Sequence, residues 1–253
     1  MISALAASRV GNIFRPWNYP SNVIHYEADQ QLTQSGGLVT GWSDIKGRGK
    51  TLVAPTGSGM TAASYQANDG DGRPAVRTNG TTDGLENLTW NVFDPDVNFT
   101  IAVLVWRTGA TDAVFWSYGD HLDGLGRIIT RVPASGFPGN FTGQLFSTTS
   151  LSDETVNAAA SLNAWQIYWL RRSGSTFYTS VDGGAEQSKT VPGGAYNMAK
   201  FTLAHLRIGA SGGNFTTGRF RALSVFSSDL GAPGTGARAK LRAFWKSRWP
   251  NVA

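Results

Sequence analysis

Twelve short strand-like segments, separated by clusters of turn residues, run through the chain between residues 23 and 226, and no other feature narrows its fold as much. They span 23–26, 37–42, 75–77, 85–90, 97–107, 113–118, 127–132, 141–146, 165–171, 176–181, 203–208 and 218–226. Short strands at this spacing, with turn signals between them, indicate an all-β sandwich or barrel. The composition agrees: glycine supplies 31 of 253 residues, and charged residues make up 15%, against usual shares of about 7% and about 25%. Apolar residues at 41%, with 9 Trp, 7 Tyr and 13 Phe, furnish a core for one large β domain. The run from Phe99 to Trp106 is apolar almost throughout, the pattern of a central strand covered on both sides. Segments 220–226 and 177–181 instead alternate between an apolar and a more polar face, so they are expected to roof a core on one side. Asp182-Gly183-Gly184 is expected to end the second of these as a tight turn, since glycine tolerates the positive φ that hairpin turns demand.

The period changes at the C-terminal end. Leu241, Phe244, Trp245, Arg248 and Trp249 recur at helical spacing and predict a short helix over 236–249 that docks on the sandwich. Arg238, Lys240, Arg242 and Lys246 are left mostly to solvent by this reading, Thr235 is the N-cap candidate and Pro250 ends the helix. At the other end, residues 1–22 hold Pro16 and Pro20 among polar residues and read as an extended arm. Its Arg15, Trp17 and Tyr19 are candidate attachment residues; the two rings either cover the end of the domain's own core or dock on a partner chain. Residues 23–253 then form one sandwich domain that includes the helix.

Several function classes drop out. Cysteine is absent, which removes disulfides and thiolate metal or redox sites, and three histidines without cysteine make zinc chemistry unexpected. The longest apolar run, residues 101–106, is far short of the roughly 20 residues that span a bilayer, so no membrane partner is expected. The N-terminal residues lack a basic region and a convincing apolar stretch, so no signal peptide is expected. The net charge of +5 sits at the ends: Arg9 and Arg15 precede the first acid, and Arg238, Lys240, Arg242, Lys246 and Arg248 follow the last. Taking those seven from the 22 bases leaves 15 against 17 acids, with no basic stripe to track phosphates, so no nucleic-acid partner is expected.

Catalytic constellations are thin. A retaining glycosidase needs two carboxylates about 5–5.5 Å apart, but the four glutamates, Glu27, Glu86, Glu154 and Glu186, share no segment. Asp94-Pro95-Asp96 and Asp69-Gly70-Asp71 lie in turns where aspartate commonly caps its own backbone. No G-x-S-x-G nucleophile elbow occurs, and His25, His121 and His205 read as satisfied or half-buried side chains of strand regions. The best site candidate is the segment in which Trp116 and Tyr118 run into Asp120, His121 and Asp123, gathering aromatic faces, carboxylates and an imidazole. Sugar binding uses that mixture of flat apolar surface and a few convergent polar groups. A structural turn is the competing reading. Asp120 and Asp123 are also the candidates for Ca²⁺, which needs six to eight oxygens and hence backbone help; no other cofactor is expected. Asn140 and Asn214 are weaker loop candidates of similar kind. Trp42 and Asp44 read as structural, the ring on the core and the carboxylate bonding the turn through Gly47 and Gly49.

The order of motifs resembles a known family. Gly41-Trp42-Ser43-Asp44-Ile45-Lys46-Gly47-Arg48-Gly49, then Gly72-Arg73-Pro74-Ala75 through Asp83, the strand at 98–105, the pair spanning Trp165 to Asp182, Leu206-Arg207-Ile208-Gly209-Ala210 followed by 215–225, and the closing helix 241–249 follow one another as in bacterial and phage laminin G-like domains of the concanavalin A-like lectin/glucanase superfamily. The likeness covers about nine-tenths of the chain. Thr78 stands where that family usually has an apolar residue, and Arg221-Ala222 replaces its common acidic pair. The resemblance implies a two-sheet antiparallel jelly-roll sandwich with an N-terminal arm and a C-terminal helix. The hydrolases of this fold carry an E-x-D-x-E strand, which the present chain lacks, so it is expected not to be an enzyme.

Such domains without signal peptide or cysteine are familiar among phage and phage-like particles. The expected function is therefore a carbohydrate-binding, lectin-like domain on a virion or extracellular particle surface, attached to other virion proteins and binding a cell-surface glycan of the host. The alternative is a purely structural virion protein, a capsid decoration or a head or tail component with protein contacts only; a glycoside hydrolase comes third. A homo-oligomer would suit weak monovalent sugar binding, because linked sites gain avidity.

Overall fold

The computed structural model describes residues 14–57, 59–108, 113–119, 127–132, 140–146, 153–191, 193, 199–208 and 211–252. Its strands, in chain order, begin with β1 (Asn22–Glu27), β2 (Leu32–Ser35), β3 (Leu38–Ser43), β4 (Thr51–Leu52), β5 (Thr61–Ala62), β6 (Ser64–Gln66) and β7 (Ala75–Asn79). There follow β8 (Asp83–Asn87), β9 (Phe99–Arg107), β10 (Ala113–Tyr118), β11 (Arg127–Val132), β12 (Asn140–Phe146), β13 (Asp153–Ala159) and β14 (Trp165–Ser173). The last are β15 (Thr176–Val181), β16 (Gln187–Thr190), β17 (Phe201–Leu203), β18 (Leu206–Ile208), β19 (Ser211–Gly213) and β20 (Thr217–Phe226), before the helix α1 (Gly236–Arg248).

Two sheets form the expected all-β sandwich. The larger has the order β16-β15-β14-β9-β20-β7-β6-β3-β2, with β1 added beside β20 and β4 beside β3; the smaller runs β13-β12-β11-β10-β17-β8-β5. Pairing between named strands is antiparallel except for β5 with β8. Period-2 alternation, shifted by one residue in β20 by a bulge between Phe220 and Ala222, sends Phe99, Ile101, Val103 and Val105 of β9 and Phe220, Leu223 and Val225 of β20 into the space between the sheets, where they meet Phe115, Tyr118, Ile128, Phe141 and Phe201 of the smaller sheet.

A second core lies on the outer side of the larger sheet. Ala102 and Leu104 of β9, Ala222 and Phe226 of β20, and Ile167 and Trp169 of β14 are covered there by Leu241 and Trp245 of α1 and by Trp249, its C-cap, with Phe14 and Tyr19 alongside. Full burial of an indole removes about 150–250 Å² from water, or roughly 4–6 kcal/mol each for Trp245 and Trp249 at 25 cal/mol per Å², which fixes the helix to the sheet. This layer corrects the expectation that segment 220–226 roofs a core on one side: every residue of β20 from Phe220 to Phe226 is buried.

Other differences have local causes. The stretch around Pro16 forms a single 3-10 turn, Pro16–Asn18, rather than an extended arm, with the Tyr19 N–H donating to the Pro16 carbonyl at 3.0 Å. The expected strand 203–208 is split into β17 and β18 at Ala204, which holds a φ of 69°. Thr235 is the N-cap residue, but its hydroxyl donates to the Ala232 carbonyl and makes no capping bond. Arg238, expected to face solvent, is buried between Glu186 and the Trp169 ring. The turn after β3 is as expected: the Asp44 carboxylate accepts the N–H groups of His25, Lys46 and Arg48 at 2.8, 3.0 and 2.9 Å, and the Trp42 indole, buried, donates to the Glu27 carbonyl. Both departures from the resembled pattern find local partners, Arg221 through Nη2 alone, since its Nε and Nη1 are buried without a hydrogen-bond partner among the described residues. Thr78 Oγ1 donates to the Thr216 carbonyl, and Arg221, beside the bulge in β20, pairs with Asp71 and lies 4.0 Å over the Trp165 ring. Among the described residues no helix is long and apolar enough to cross a membrane.

Candidate functional site

Of the sequence-derived ligand residues, the four that are described do not converge. Trp116 and Tyr118 belong to the core, 1% and 0% exposed, so neither offers a face to a ligand from solvent, a correction to the expected aromatic platform. A bulge between Val114 and Trp116 is the reason: it turns Phe115 and Trp116 both inward. Trp116 then stacks near Phe201, and Tyr118 stacks on Phe93, with its hydroxyl donating to the Phe93 carbonyl at 3.1 Å. Burial first, and then the charge of Asp94, push the Tyr118 phenol far above its usual range. Asp120, His121 and Asp123 lie outside the described residues, so the Ca²⁺ expectation does as well; among the described residues no three His, Asp or Glu side chains gather to hold a metal. Asn140 opens β12 beside the end of β11, and the Asn214 carbonyl accepts the Val114 N–H at the start of β10. Both therefore stand at the opposite end of the smaller sheet from Tyr118. A six-residue strand is about 20 Å long, too far for the two groups to line one sugar ring.

The N-terminal candidates are brought together with residues from elsewhere. Pro16 starts the 3-10 turn, which swings Trp17 onto β1 and α1 and Tyr19 onto β20: the Trp17 ring lies 5.3 Å from His25 and 5.8 Å edge-on from Phe244, and Tyr19 meets Phe226 at 6.0 Å. Both rings thus pack on the chain's own fold. Trp17 and Phe244 remain half-buried, and together with Arg15, Gln30 and Arg248 they line an open cleft of about 380 Å³. Small-ligand sites begin at about 300 Å³. Arg248 is held in place, with Nε 2.9 Å from Glu27 and Nη2 donating to Asp29 at 2.7 Å, while Gln30 donates to Glu27 at 3.1 Å. Among the described residues the exposed Arg15 side chain makes no ion pair or hydrogen bond. The cleft therefore presents aromatic surface beside two guanidiniums and an amide, donors suited to hydroxyl or carboxylate oxygens.

Beneath the cleft is a trio that the sequence reading missed. Ser224 Oγ is 2.5 Å from His25 Nδ1, and His25 Nε2 is 3.0 Å from Glu27 Oε1. A serine, an imidazole and a carboxylate in series resemble a hydrolytic relay, but all three are fully buried and roofed by Trp17, Phe244 and Trp245. No substrate atom reaches Ser224, and the trio acts as a satisfied buried polar network that joins β1 to β20. His25 and Glu27, two apart on one strand, carried half of this signal; Ser224, across the register from His25, carried the other half.

The glutamates are dispersed. Glu86 accepts from the Thr56 N–H and hydroxyl at 2.9 and 3.1 Å, and lies 3.8 Å from His205, also buried. Glu186 belongs to a cluster with Arg171, Arg238 and Asp229, and the Glu154 side chain is outside those described. Asp69 pairs with Arg77 and Arg219, and Asp96 with Arg172, so these two turn acids tie strands together, while Asp71 and Asp94 accept the Arg73 and Asp96 N–H groups.

No protein-family model matches the chain, and no curated protein matches its sequence. Solved structures do share its fold. Domain 4 of AbnA, a GH43 extracellular arabinanase from Geobacillus stearothermophilus solved in complex with arabinotriose, superposes with a TM-score of 0.62 at 14% identity, covering 88% of this chain and 98% of that domain. The receptor-binding domain of botulinum neurotoxin type G gives 0.56 at 11% identity, over 90% of this chain and 51% of that one. A GH54 α-L-arabinofuranosidase soaked with 4-nitrophenyl α-L-arabinofuranoside gives 0.54 at 14% identity, over 81% and 49%. The match thus takes in about half of the last two proteins. At these identities the likeness is one of fold, a β-sandwich compatible with a jelly roll.

Proposed function

We propose that this chain is a non-enzymatic, lectin-like carbohydrate-binding domain of a phage or phage-like particle, and that it meets host surface polysaccharide at the Trp17 cleft. The cleft carries the reading: half-buried Trp17 and Phe244 offer apolar surface to the C–H faces of a sugar, and Arg15, Gln30 and Arg248 stand at its rim as donors to oxygens. Support comes from fold relatives solved with arabinotriose and with an arabinofuranoside. Glu27, Glu86 and Glu186 are each engaged in a separate network, which favours binding over hydrolysis. The particle setting rests on the laminin G-like resemblance, and many copies on one particle would convert weak single-site affinity into avidity.

A glycan array followed by calorimetry on the bound sugars, with and without Ca²⁺, tests the reading. Saturable binding is expected, weakened about tenfold (about 1.4 kcal/mol) by Trp17→Ala and by Arg15→Gln. Arg15 has no side-chain hydrogen bond or ion pair among the described residues to lose, so its variant should melt like the parent and report binding alone. Failure of the folded protein to bind any glycan would reject the proposal and leave a structural particle component with protein contacts only.

A further inference from the structure

The cations of α1 are unequally used. Arg238 is committed to Glu186, Ser180 and the Gly231 carbonyl, and Arg248 to Glu27 and Asp29. Arg242 and Lys246, one and two turns further along the face that Arg238 occupies, are half-buried without an ion pair or hydrogen bond among the described residues, and the Arg242 Nε is shut off from solvent without a partner among them. They line a groove of about 270 Å³ together with Trp169 and the turn at Asp182 and Gly183. Gly183 matters for this packing, because a Cβ there would stand 3.3 Å from the Arg242 Cζ.

Three further observations indicate what the groove takes. Trp169 is 1% exposed and its indole N–H has no partner among the described residues. The first turn of α1 carries no acidic residue, its N-cap makes no side-chain capping bond, and Pro233 and Gly234, just ahead of it, form part of the groove, so no side chain caps the positive end of the helix there. Asp182 is a poor counter-ion. Its carboxylate already accepts from the Ile167 N–H at 2.8 Å and Gln166 at 3.2 Å. Burial also raises its pKa, against the pull of those bonds and of Arg242 and Lys246.

We propose that the groove between α1 and the Asp182-Gly183 turn binds a compact oxyanion, a phosphate, sulfate or carboxylate group, held by Arg242 and Lys246. The site is separate from the Trp17 cleft and does not depend on the carbohydrate reading. Calorimetry and indole N–H resonances of the full chain would be followed at constant ionic strength with inorganic phosphate, inorganic sulfate, a trigalacturonate and the methyl ester of that trigalacturonate. Saturable binding of at least one anion is expected, with a shifted Trp169 resonance and no binding of the ester. Arg242→Gln and Lys246→Gln should each weaken it about tenfold. Lys240→Gln, an equal change of charge at an exposed position of the same helix, should leave it unchanged. Binding of phosphate or sulfate alone would identify a free anion as the ligand, and preference for trigalacturonate a glycan-borne carboxylate. No saturable binding of any probe through the millimolar range, or an equal loss in Lys240→Gln, would overturn the site.

Discussion

Glu186→Gln tests whether the ionic cluster under the start of α1 holds the helix on the sheet. Glu186 Oε2 lies 2.5 Å from Arg171 Nη2, its other oxygen accepts from Arg238, and Arg171 Nη1 reaches Asp229 at 2.9 Å. The side chains of Arg238, Arg171 and Glu186 are 2%, 7% and 10% exposed. Two guanidiniums are thus balanced by two carboxylates with little water present. Glutamine keeps the shape and removes one charge, leaving both arginines to Asp229. Deleting one member of a buried pair costs about 3–5 kcal/mol, and with Asp229 still in place the lower figure, about 3 kcal/mol, is expected. For a chain of this length that is a fall in Tm of about 6–12 °C. Burial pushes the Glu186 carboxyl up, but the hydrogen bonds and charges of Arg171 and Arg238 outweigh it and leave the group below the usual glutamate range. Its contribution is therefore complete above the unfolded value near about 4.3, and is lost as pH falls through the lower folded value. Calorimetry and urea unfolding at pH 7 and on stepwise acidification should show the parent and variant converging. The double variant Glu186→Leu/Arg238→Met, which removes both charges, should lose less than Glu186→Gln alone. A Tm at pH 7 within about 2 °C of the parent, or no convergence in acid, would refute the reasoning.

Three other substitutions separate structural from binding roles. Asp44→Ala removes the acceptor for three backbone N–H groups and should cost about 2–4 kcal/mol in urea unfolding. Gly84→Ala would place a Cβ 2.8 Å from the Leu203 carbonyl and against His205 Nδ1; a backbone oxygen cannot withdraw, and a loss of about 1–3 kcal/mol is expected by the same measurement. Trp116→Ala should cost about 3–5 kcal/mol as a core truncation while leaving the sugar affinity of the folded fraction unchanged, a contrast with Trp17→Ala that calorimetry would show directly.

Strands were legible where their own side chains alternate or run apolar. The bounds read for β10, β11 and β15 coincide with the observed ones, as do those of the closing helix to within a residue. Six of the missed strands, β2, β4, β5, β6, β16 and β19, are two to four residues long, and β16 is exposed throughout, so pairing partners rather than an apolar pattern define them; the seven-residue β13 was missed as well, because its sequence Asp153-Glu154-Thr155-Val156-Asn157-Ala158-Ala159 has no apolar run and pairing with β12 defines it. The aromatic residues of β10 misled because alternation does not say which face is inward, and a bulge reversed it midway. Arg15 and Trp17 were visible as unusual, but the cleft needs Gln30 from the turn after β1 and Phe244 and Arg248 from the helix. No local pattern links these.

The pairing of β1 with β20 also dictates an order of assembly. Asn22 and Val225 meet across 203 positions, so on a ribosome moving at about 5–20 residues per second the first strand waits roughly 10–40 s for its neighbour. Helix α1 is made later still. Until then β1, with its apolar Val23, Ile24 and Tyr26, has no permanent place, and neither Trp17 nor Ser224 has its cover. Nascent or truncated chains that stop short of α1 therefore lack the Trp17 cleft, and only completed molecules can display it.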